Sequence, residues 1–496
     1  MTKPQVTIVV VPRERFSFAE RSLENLYENT AFPFELVYVS AGAPERIRRY
    51  LEREAERKKF RLVRCDRYLS PNQARNLGLR EVHTKYVVFL DNDTLVAPGW
   101  LDALVRCAEE TGAWIVGPLY LYGDFERAVI HMAGGKLQVE EQEGKRVLLD
   151  EQYLFDTQID DAPRPLRRRS CDYVEFHCML VRTEIFEQVG PLDEKLLSVQ
   201  EERDCCLTAL HAGGSVYVEP KAVVTFVPPP PCEWWDLPYL MLRWSEAWSV
   251  ASVRHFNEKW SIAAVRHIRD KTGHNEGESI IGFGRSWRRR IAGLKIGASD
   301  VTDGPRLPLE EAELMIALFQ SVDRDCFDLA LTAKDGAVIE SASSLLPHEM
   351  LEQLPGFMRK AEEGNLNLMV RPLDRGRQDD LVLIRVDDLS AEDVHNVKRY
   401  AFMTLQTRPN RYQCWLAVER RTAAILGSRT APGVVQASLN DFVHLAGSQS
   451  VGHHFGDTDS RCPRVQFVEA VVGQLTTTRQ LESPEILPFL LSNRIC

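Results

Sequence analysis

The sequence predicts an α/β protein with two folded regions, a Rossmann-like parallel sheet followed by an α+β domain. A chain of 496 residues is longer than one hydrophobic core usually organises. Short β-branched runs alternate with amphipathic segments through residues 6–117, and a second alternation with several antiparallel strands begins at residue 309. We therefore expect domains at residues 1–270 and 309–496, joined by a linker at 271–308.

The composition is that of a globular protein, with 44% hydrophobic and 27% charged residues. A net charge of −10 argues against polyanion binding by the whole surface. The apolar runs are far shorter than the ~18 residues that a membrane span needs, and the N-terminal stretch lacks a signal-peptide cleavage site. Eleven cysteines without a C-x-x-C pair fit reduced thiols. We expect a cytoplasmic protein.

In the first region the pattern predicts strands at 6–11, 35–40, 60–64 and 86–90, and helices at 18–29, 44–58, 72–81 and 201–211. Strand–helix–strand repetition implies right-handed crossovers, with the ligand at the carboxyl ends of the strands. The polar residues 138–169 predict a surface insertion. In the second region the pattern predicts helices at 310–321, 347–363 and 391–400, and strands at 327–332, 366–371, 381–386, 402–406 and 413–418.

The sharpest local signal is a pair of carboxylates, Asp91 and Asp93, at the end of an apolar strand. Hard cations such as Mg²⁺ or Mn²⁺ prefer oxygen ligands and often keep bridging phosphates in their coordination shell. The pair therefore indicates a nucleotide-diphosphate site. Aspartates in this spacing also begin turns and cap helices, so the motif alone is weak.

The surroundings of this pair strengthen the prediction. The segments are SPNQARNLG at 70–78, PGWL at 98–101, EFHCMLVR at 175–182, VGPLDE at 189–194 and EERD at 201–204. In this order they resemble the nucleotide-sugar domain of family 2 glycosyltransferases, which has the GT-A fold. The resemblance covers roughly residues 5–260.

The resemblance implies transfer of a sugar from a nucleotide-diphosphate sugar to an acceptor hydroxyl, with inversion. Asp91 and Asp93 would hold Mn²⁺ or Mg²⁺, which neutralises charge on the leaving diphosphate. The general base would be Glu202, Glu201 or Asp204, and position in the family pattern favours Glu202. Acidic residues at a helix start can also simply interact with the helix dipole. The residues expected against the donor are Pro12, Ser40, Arg75, Asn76, Asp91 and Asp93.

Two departures from the family pattern leave donor and metal binding open. Ser40 stands where the family usually has an aspartate that binds the base. Thr225 and Phe226 stand where a histidine usually completes the metal shell. His131 either contacts the acceptor or is structural, and a histidine beside a Gly-Gly turn favours the structural role.

The second region carries another resemblance, in NLMVRP at 367–372, LIRVDDL at 383–389 and QTRPNRYQCWL at 406–416. These segments resemble a plasmid- and phage-type replication primase domain of the archaeo-eukaryotic primase fold. Asp387 and Asp388 take the place of its metal-holding acidic residues. Ser450 and Gly452 replace its asparagine and lysine, which implies a weakly active or non-catalytic module that binds a nucleotide, nucleic acid or a partner.

Two alternatives to the glycosyltransferase prediction follow. One is a replication or defence protein that acts on nucleic acid through its C-terminal half. The other is a pair of binding scaffolds. The polar loop with His453, His454, Asp457 and Asp459 could also hold a metal, but it lacks a ligand spacing signature and favours a solvated loop.

Overall fold

The computed structural model describes residues 4–123, 125, 129–228, 231–268, 291–297, 306–373, 381–420, 443–448 and 464–481. The chain divides into two compact units, Met1–Arg285 and Ser286–Cys496. Most of the expected linker at 271–308 lies outside the described residues. Its segment Lys295–Gly297 is instead a strand that pairs with Gln466–Val471 and so belongs to the second unit.

The first unit alternates strands and helices as its pattern predicts. Its strands are β1 (Val6–Val11), β2 (Phe34–Ala41), β3 (Arg61–Cys65), β4 (Tyr86–Asp91), β5 (Thr94–Val96), β6 (Ile115–Tyr122), β7 (Val129–Met132), β8 (Gly135–Gln142), β9 (Lys145–Gln152), β10 (Thr157–Gln158), β11 (Arg169–Cys171), β12 (Cys178–Arg182), β13 (Val216–Phe226) and β14 (Ala264–Ile268). Its helices are α1 (Ala19–Asn29), α2 (Glu45–Lys58), α3 (Pro71–Leu79), α4 (Trp100–Thr111), α5 (Ile185–Val189), α6 (Glu201–His211), α7 (Leu237–Arg243) and α8 (Glu246–Trp260), with short 3₁₀ turns at Ile159–Asp161 and Trp234–Asp236.

The main sheet has the strand order β10-β7-β6-β12-β4-β1-β2-β3. Strands β4, β1, β2 and β3 are parallel, which confirms the predicted Rossmann-like arrangement, while β12 is antiparallel to β4 and β6. Every residue of β1 and β4 is buried, as expected for central strands covered on both faces. The carboxyl ends of β1 and β4 lie side by side, because Val11 is paired with Asp91.

The prediction of a surface insertion at 138–169 is wrong for its first half. Strands β8 and β9 pair along their length, and β14 joins β9 in parallel. Apolar residues alternate with polar ones at Leu137 and Val139 of β8. In β9 the consecutive residues Val147 and Leu148, which point to opposite faces of the strand, are both buried. Asp150 on the same strand is also buried, at 1% exposure, because it forms an ion pair described below.

The second unit is an α+β arrangement of antiparallel strands and helices. Its strands are β15 (Lys295–Gly297), β16 (Phe327–Thr332), β17 (Val338–Leu345), β18 (Asn367–Pro372), β19 (Leu381–Leu389), β20 (Met403–Arg408), β21 (Arg411–Glu419), β22 (Val443–His444) and β23 (Gln466–Val471). Its helices are α9 (Pro308–Ser321), α10 (Pro347–Gly364), α11 (Ala391–Val397) and α12 (Thr478–Leu481), with a 3₁₀ turn at Lys398–Tyr400. The strands form two sheets, β15-β23-β20-β21-β19 and β17-β16-β18-β22.

The main hydrophobic core of the first unit lies between its large sheet and the helices packed on that sheet. In the first unit, side chains from β1, β2, β4, β6 and β12 form one continuous cluster with helices α1 to α4. No helix among the described residues is long and apolar enough to cross a membrane.

Candidate active site

Asp91 is held by three basic side chains at the carboxyl end of β4. Arg75 lies 3.2 Å from one carboxylate oxygen, and Arg13 and His177 each lie 3.3 Å from the other. The Asp91 side chain is 1% exposed. Burial alone would raise the pKa of this carboxyl, but His177, Arg13 and Arg75 outweigh it and lower the pKa below its ordinary value. Asp91 is therefore a carboxylate at neutral pH.

Asp93 has the opposite electrostatic environment. Asp93 and Glu14 are both 0% exposed, and no described group donates a hydrogen bond to either carboxylate. Burial, followed by the neighbouring charge of Glu14, raises the pKa of Asp93 to about 8, against the opposing influence of Arg13 and Arg15. Burial likewise raises the pKa of Glu14. Two buried acids without donors form an environment that a cation would stabilise.

Asn92, between the two aspartates, joins this strand end to the loop after β1. Its side-chain oxygen accepts a hydrogen bond from the Arg13 amide at 3.2 Å, and its side-chain nitrogen donates to the Arg15 carbonyl at 2.8 Å. The Asn92 carbonyl accepts from the Ser22 hydroxyl at 2.7 Å, at the start of α1. The loop and the strand end are thus fixed relative to each other.

A second cluster borders Asp91 and contains His131, Glu175 and His177. Glu175 Oε2 lies 2.9 Å from His131 Nε2 and 3.5 Å from His177 Nε2, and Glu175 Oε1 accepts from Gln152 at 3.0 Å. Burial and the positive charge of Arg13 lower the pKa of His177 to about 4. The imidazole of His177 stacks on Phe226, with 4.3 Å between ring centroids. His177 is therefore neutral at neutral pH.

Helix α3 presents the predicted residues Arg75 and Asn76 in different ways. The helix begins at Pro71, and the Gln73 side chain accepts from the Ser70 amide at 3.0 Å as a capping interaction. Arg75 turns toward Asp91. Asn76 instead holds the loop after α5, because it donates to the Leu192 carbonyl at 2.8 Å and accepts from the Leu192 amide at 3.0 Å.

Pro12 and Ser40 lie at the carboxyl ends of β1 and β2, as predicted. The Pro12 carbonyl accepts from the Tyr239 hydroxyl at 3.2 Å, and the same hydroxyl contacts the Leu69 carbonyl at 3.2 Å. Ser40 is 5% exposed. A ligand in contact with Pro12 and Ser40 would lie along the edge of the sheet formed by the carboxyl ends of β1 and β2.

Helix α6 carries the three acidic residues that were considered as bases, and two of them are in buried ion pairs. Glu201 accepts from Arg243 at 2.9 Å, with both side chains 3% exposed. Asp204 accepts from Lys259 Nζ and from the Trp260 indole, each at 2.8 Å. These contacts occupy the carboxylates with partners inside the fold.

Glu202 is the third acid of α6, and it is the most exposed of the three, at 17% of its side chain. Arg203 donates to it. Burial raises the pKa of Glu202 to about 7, with Arg203 opposing the rise and Glu201 and Glu175 adding to it. A carboxyl with this pKa can accept a proton near neutral pH.

Residues 7–190 match the sequence family described as Glycosyl transferase family 2. This match lies wholly within the first unit. The pre-mycofactocin glycosyltransferase of Mycobacterium tuberculosis is 27% identical over 155 residues, which cover 31% of this chain and 29% of that protein. Matches to curated relatives span 23% to 29% of the relatives' own length.

Two solved structures give weaker similarities. The crystal structure of GalNAc-T7 with UDP, GalNAc and Mn²⁺ is 16% identical with a TM-score of 0.36, over 53% of this chain and 55% of that one. The crystal structure of primase RepB′ is 20% identical with a TM-score of 0.26, over 37% of this chain and 62% of that one.

Four residues near the candidate site of the first unit were not predicted as site residues. These are Arg13, Glu14, Glu175 and His177. A signal existed in the sequence, because Arg13 and Glu14 stand just beyond the buried strand β1 and His177 directly precedes β12. Chain position alone could not show that these segments meet at Asp91, since the residues are up to 164 positions apart.

In the second unit, the two residues of the predicted acidic pair lie in two different environments. Asp387 accepts from Arg385 at 2.7 Å and from Gln413 at 2.5 Å. Asp388 has a positive φ of 55° and lies at a break in the β19–β21 register, with its side chain 65% exposed. The predicted residues Ser450, Gly452, His453, His454, Asp457 and Asp459 lie outside the described residues.

Proposed function

We propose that the first unit transfers a sugar from a nucleotide-diphosphate sugar to an acceptor hydroxyl, with inversion and with help from a divalent cation. The observation that carries this proposal is the set of buried carboxylate oxygens without donors at the end of β4, inside a family 2 glycosyltransferase domain. The sugar-nucleotide donor would lie across the carboxyl ends of β1 and β2, against Pro12 and Ser40.

The residues at this end of the sheet fit a hard cation such as Mn²⁺ or Mg²⁺. Both oxygens of Asp93 are buried without a hydrogen-bond donor among the described residues. The neighbouring Asp91 is a buried carboxylate held by Arg13, Arg75 and His177. A cation would remove the cost of burying these charges and would lower the pKa of Asp93, which is raised in its absence. When bound there, the cation would neutralise charge on the leaving nucleoside diphosphate.

Two arginines have separate roles in this proposal. Arg75 is buried, and its guanidinium lies 3.9 Å from the Phe176 ring centroid, so it orients Asp91. Arg13 is 17% exposed and is able to bond a phosphate oxygen of the donor while remaining near Asp91. Arg75 is thus a positioning residue, whereas Arg13 is a candidate for donor contact.

Glu202 is the proposed general base. Its exposure and its pKa of about 7 suit a group that removes a proton from an acceptor hydroxyl as that hydroxyl attacks the anomeric carbon. Attack from the face opposite the leaving diphosphate inverts the anomeric centre. Glu201 and Asp204 are less suited because their side chains are only 3% and 6% exposed. Asp204 also accepts from both Lys259 and the Trp260 indole.

The test is release of nucleoside diphosphate by the purified full-length chain from a panel of UDP-, GDP- and dTDP-sugars, with Mn²⁺, with Mg²⁺ and with a chelator. We expect release with at least one donor, stimulated by a cation and abolished in Asp93→Ala. The surface variant Asp102→Ala is the matched control, since Asp102 is half exposed and forms an ion pair with Arg106 on its own helix. Undiminished metal-dependent release in Asp93→Ala would contradict the metal assignment.

A further inference from the structure

Beside the Asp91–Asp93 strand end, three side chains from different parts of the first unit converge on one point. His131 lies on β7, and Glu175 and His177 lie in the segment before β12. One ligand atom from each lies within 4.8 Å of the other two. Two imidazole nitrogens and a carboxylate are a donor set different from the oxygen ligands of Asp91 and Asp93.

The spacing of these atoms suits a first-row metal. Bonds of 2.0–2.1 Å in a tetrahedral arrangement place ligand atoms about 3.3 Å apart. The separations from Glu175 Oε2 are 2.9 Å to His131 Nε2 and 3.5 Å to His177 Nε2. Small shifts of the carboxylate would equalise the two distances.

The other ring nitrogen of His177 supplies independent support. His177 Nδ1 lies 3.3 Å from Asp91 Oδ2, an oxygen that Arg13 Nε approaches at the same distance. Metal-binding histidines usually direct their second nitrogen to a carboxylate, which fixes the tautomer. With Nδ1 facing Asp91, the lone pair of Nε2 is directed to the side where Glu175 and His131 lie.

We propose that His131, Glu175 and His177 form a second divalent-cation site, selective for a borderline metal such as Zn²⁺ or Co²⁺ over Mg²⁺. Imidazole ligands favour these metals, whereas Mg²⁺ prefers oxygen ligands and retained water. Three protein ligands leave a coordination position for an oxygen ligand such as water or a hydroxyl. The His131 side chain is 19% exposed and provides the access to solvent. The inference does not depend on sugar transfer.

Arg13 is the group that competes with a metal here. Its NH1 lies 2.8 and 2.9 Å from the two ring nitrogens of His177, so a metal on Nε2 must displace this contact. Arg13 would keep its ion pair with Asp91, which it makes through its Nε atom. We therefore expect Arg13→Gln to bind the metal more tightly than the unchanged protein, because a cation next to the ligands is removed.

The experiment is a Co²⁺ titration of chelator-treated, full-length protein, followed by visible absorption and calorimetry. We expect His131→Gln and His177→Gln each to lose one bound Co²⁺ together with its absorption bands. Loss of a residue that only supports a metal ligand lowers metal affinity ~10–100-fold. Loss of a ligand itself should lower the Co²⁺ affinity by more than this. An approximately hundredfold excess of Mg²⁺ should not displace the Co²⁺.

Two control variants separate this site from other histidines and from the strand-end aspartates. His83→Gln changes an exposed histidine and should leave the titration unchanged. Asp93→Asn should keep the Co²⁺ bands while losing Mn²⁺-dependent nucleotide binding. The proposal is overturned if His131→Gln, with an unchanged melting temperature, retains the full stoichiometry and spectrum, or if Asp93→Asn removes the bands instead.

Discussion

Glu202 accepts a hydrogen bond from Arg203, the next residue in the same helix. The Arg203 guanidinium is anchored on its other side by Asp150, with 2.9 Å between Arg203 Nε and Asp150 Oδ2. The Tyr173 hydroxyl also donates to Asp150. The proposed base is therefore connected to strand β9 through one guanidinium, and the conformation of Glu202 depends on residues far from it in the sequence.

Replacement of the proposed base should separate binding from chemistry. In Glu202→Gln the shape of the side chain is kept but the proton acceptor is lost, so we expect the transfer rate to fall by ~10²–10⁴ with donor affinity unchanged. The measurement compares kcat for sugar transfer and Kd for the nucleotide-sugar donor between the variant and the unchanged protein. Asp204→Asn is the comparison, and a larger loss of kcat there than in Glu202→Gln would assign the base to Asp204.

The rate should also depend on pH in a defined direction. A general base works only when ionised, and the pKa of Glu202 is raised to about 7. We expect kcat to rise about tenfold per pH unit below 7 and to become level above it. The residual kcat of Glu202→Gln should not rise with pH below 7. If the same rise persists in that variant, the titrating group is not Glu202.

Loss of Asp150 should destabilise the first unit. Arg203, at 7% exposure, would keep Glu202 but lose its second carboxylate partner, and breaking a buried pair from one side costs about 3–5 kcal/mol. Urea unfolding of Asp150→Ala against the unchanged protein measures the loss. Asp160→Ala is the control, because that carboxylate is 91% exposed and its pair with Arg164 should contribute little. Equal midpoints for the two variants would contradict the prediction.

The second unit should not synthesise primers. Asp387 already accepts from Arg385 and Gln413, and Asp388 is directed into solvent, so the two carboxylates do not converge on one cation. We expect no product from the full-length chain on single-stranded DNA with Mn²⁺ and labelled nucleotides. Product that disappears in Asp387→Ala would instead favour the replication role that the sequence left open.

Local patterns predicted most of the fold and part of the site. Strands β1 and β4 are continuous apolar runs, and α6 ends at a glycine pair, so each was recognisable from its own residues. Asp91 and Asp93 were identified because they follow such a run. In contrast, β8 and β9 were missed because most of their residues are charged or amide side chains, and this composition resembles that of a loop.

The contacts that join distant segments could not be predicted in this way. Nothing near His131 indicates that Glu175 lies 2.9 Å from its ring, because strand pairing and not helical or strand periodicity places the two together. The same holds for Glu14, whose burial without a donor depends on the segments that cover it.

Asn92 limits how this site could be transplanted by protein engineering. A designer who moves only the Asp-x-Asp strand into another sheet would leave both hydrogen-bonding ends of the Asn92 amide without the backbone of residues 13 and 15. A buried amide that loses these partners costs about 1–3 kcal/mol for each group left unpaired. The smallest graft that keeps the aspartates in place is therefore two segments, the strand end and the loop after β1, moved together.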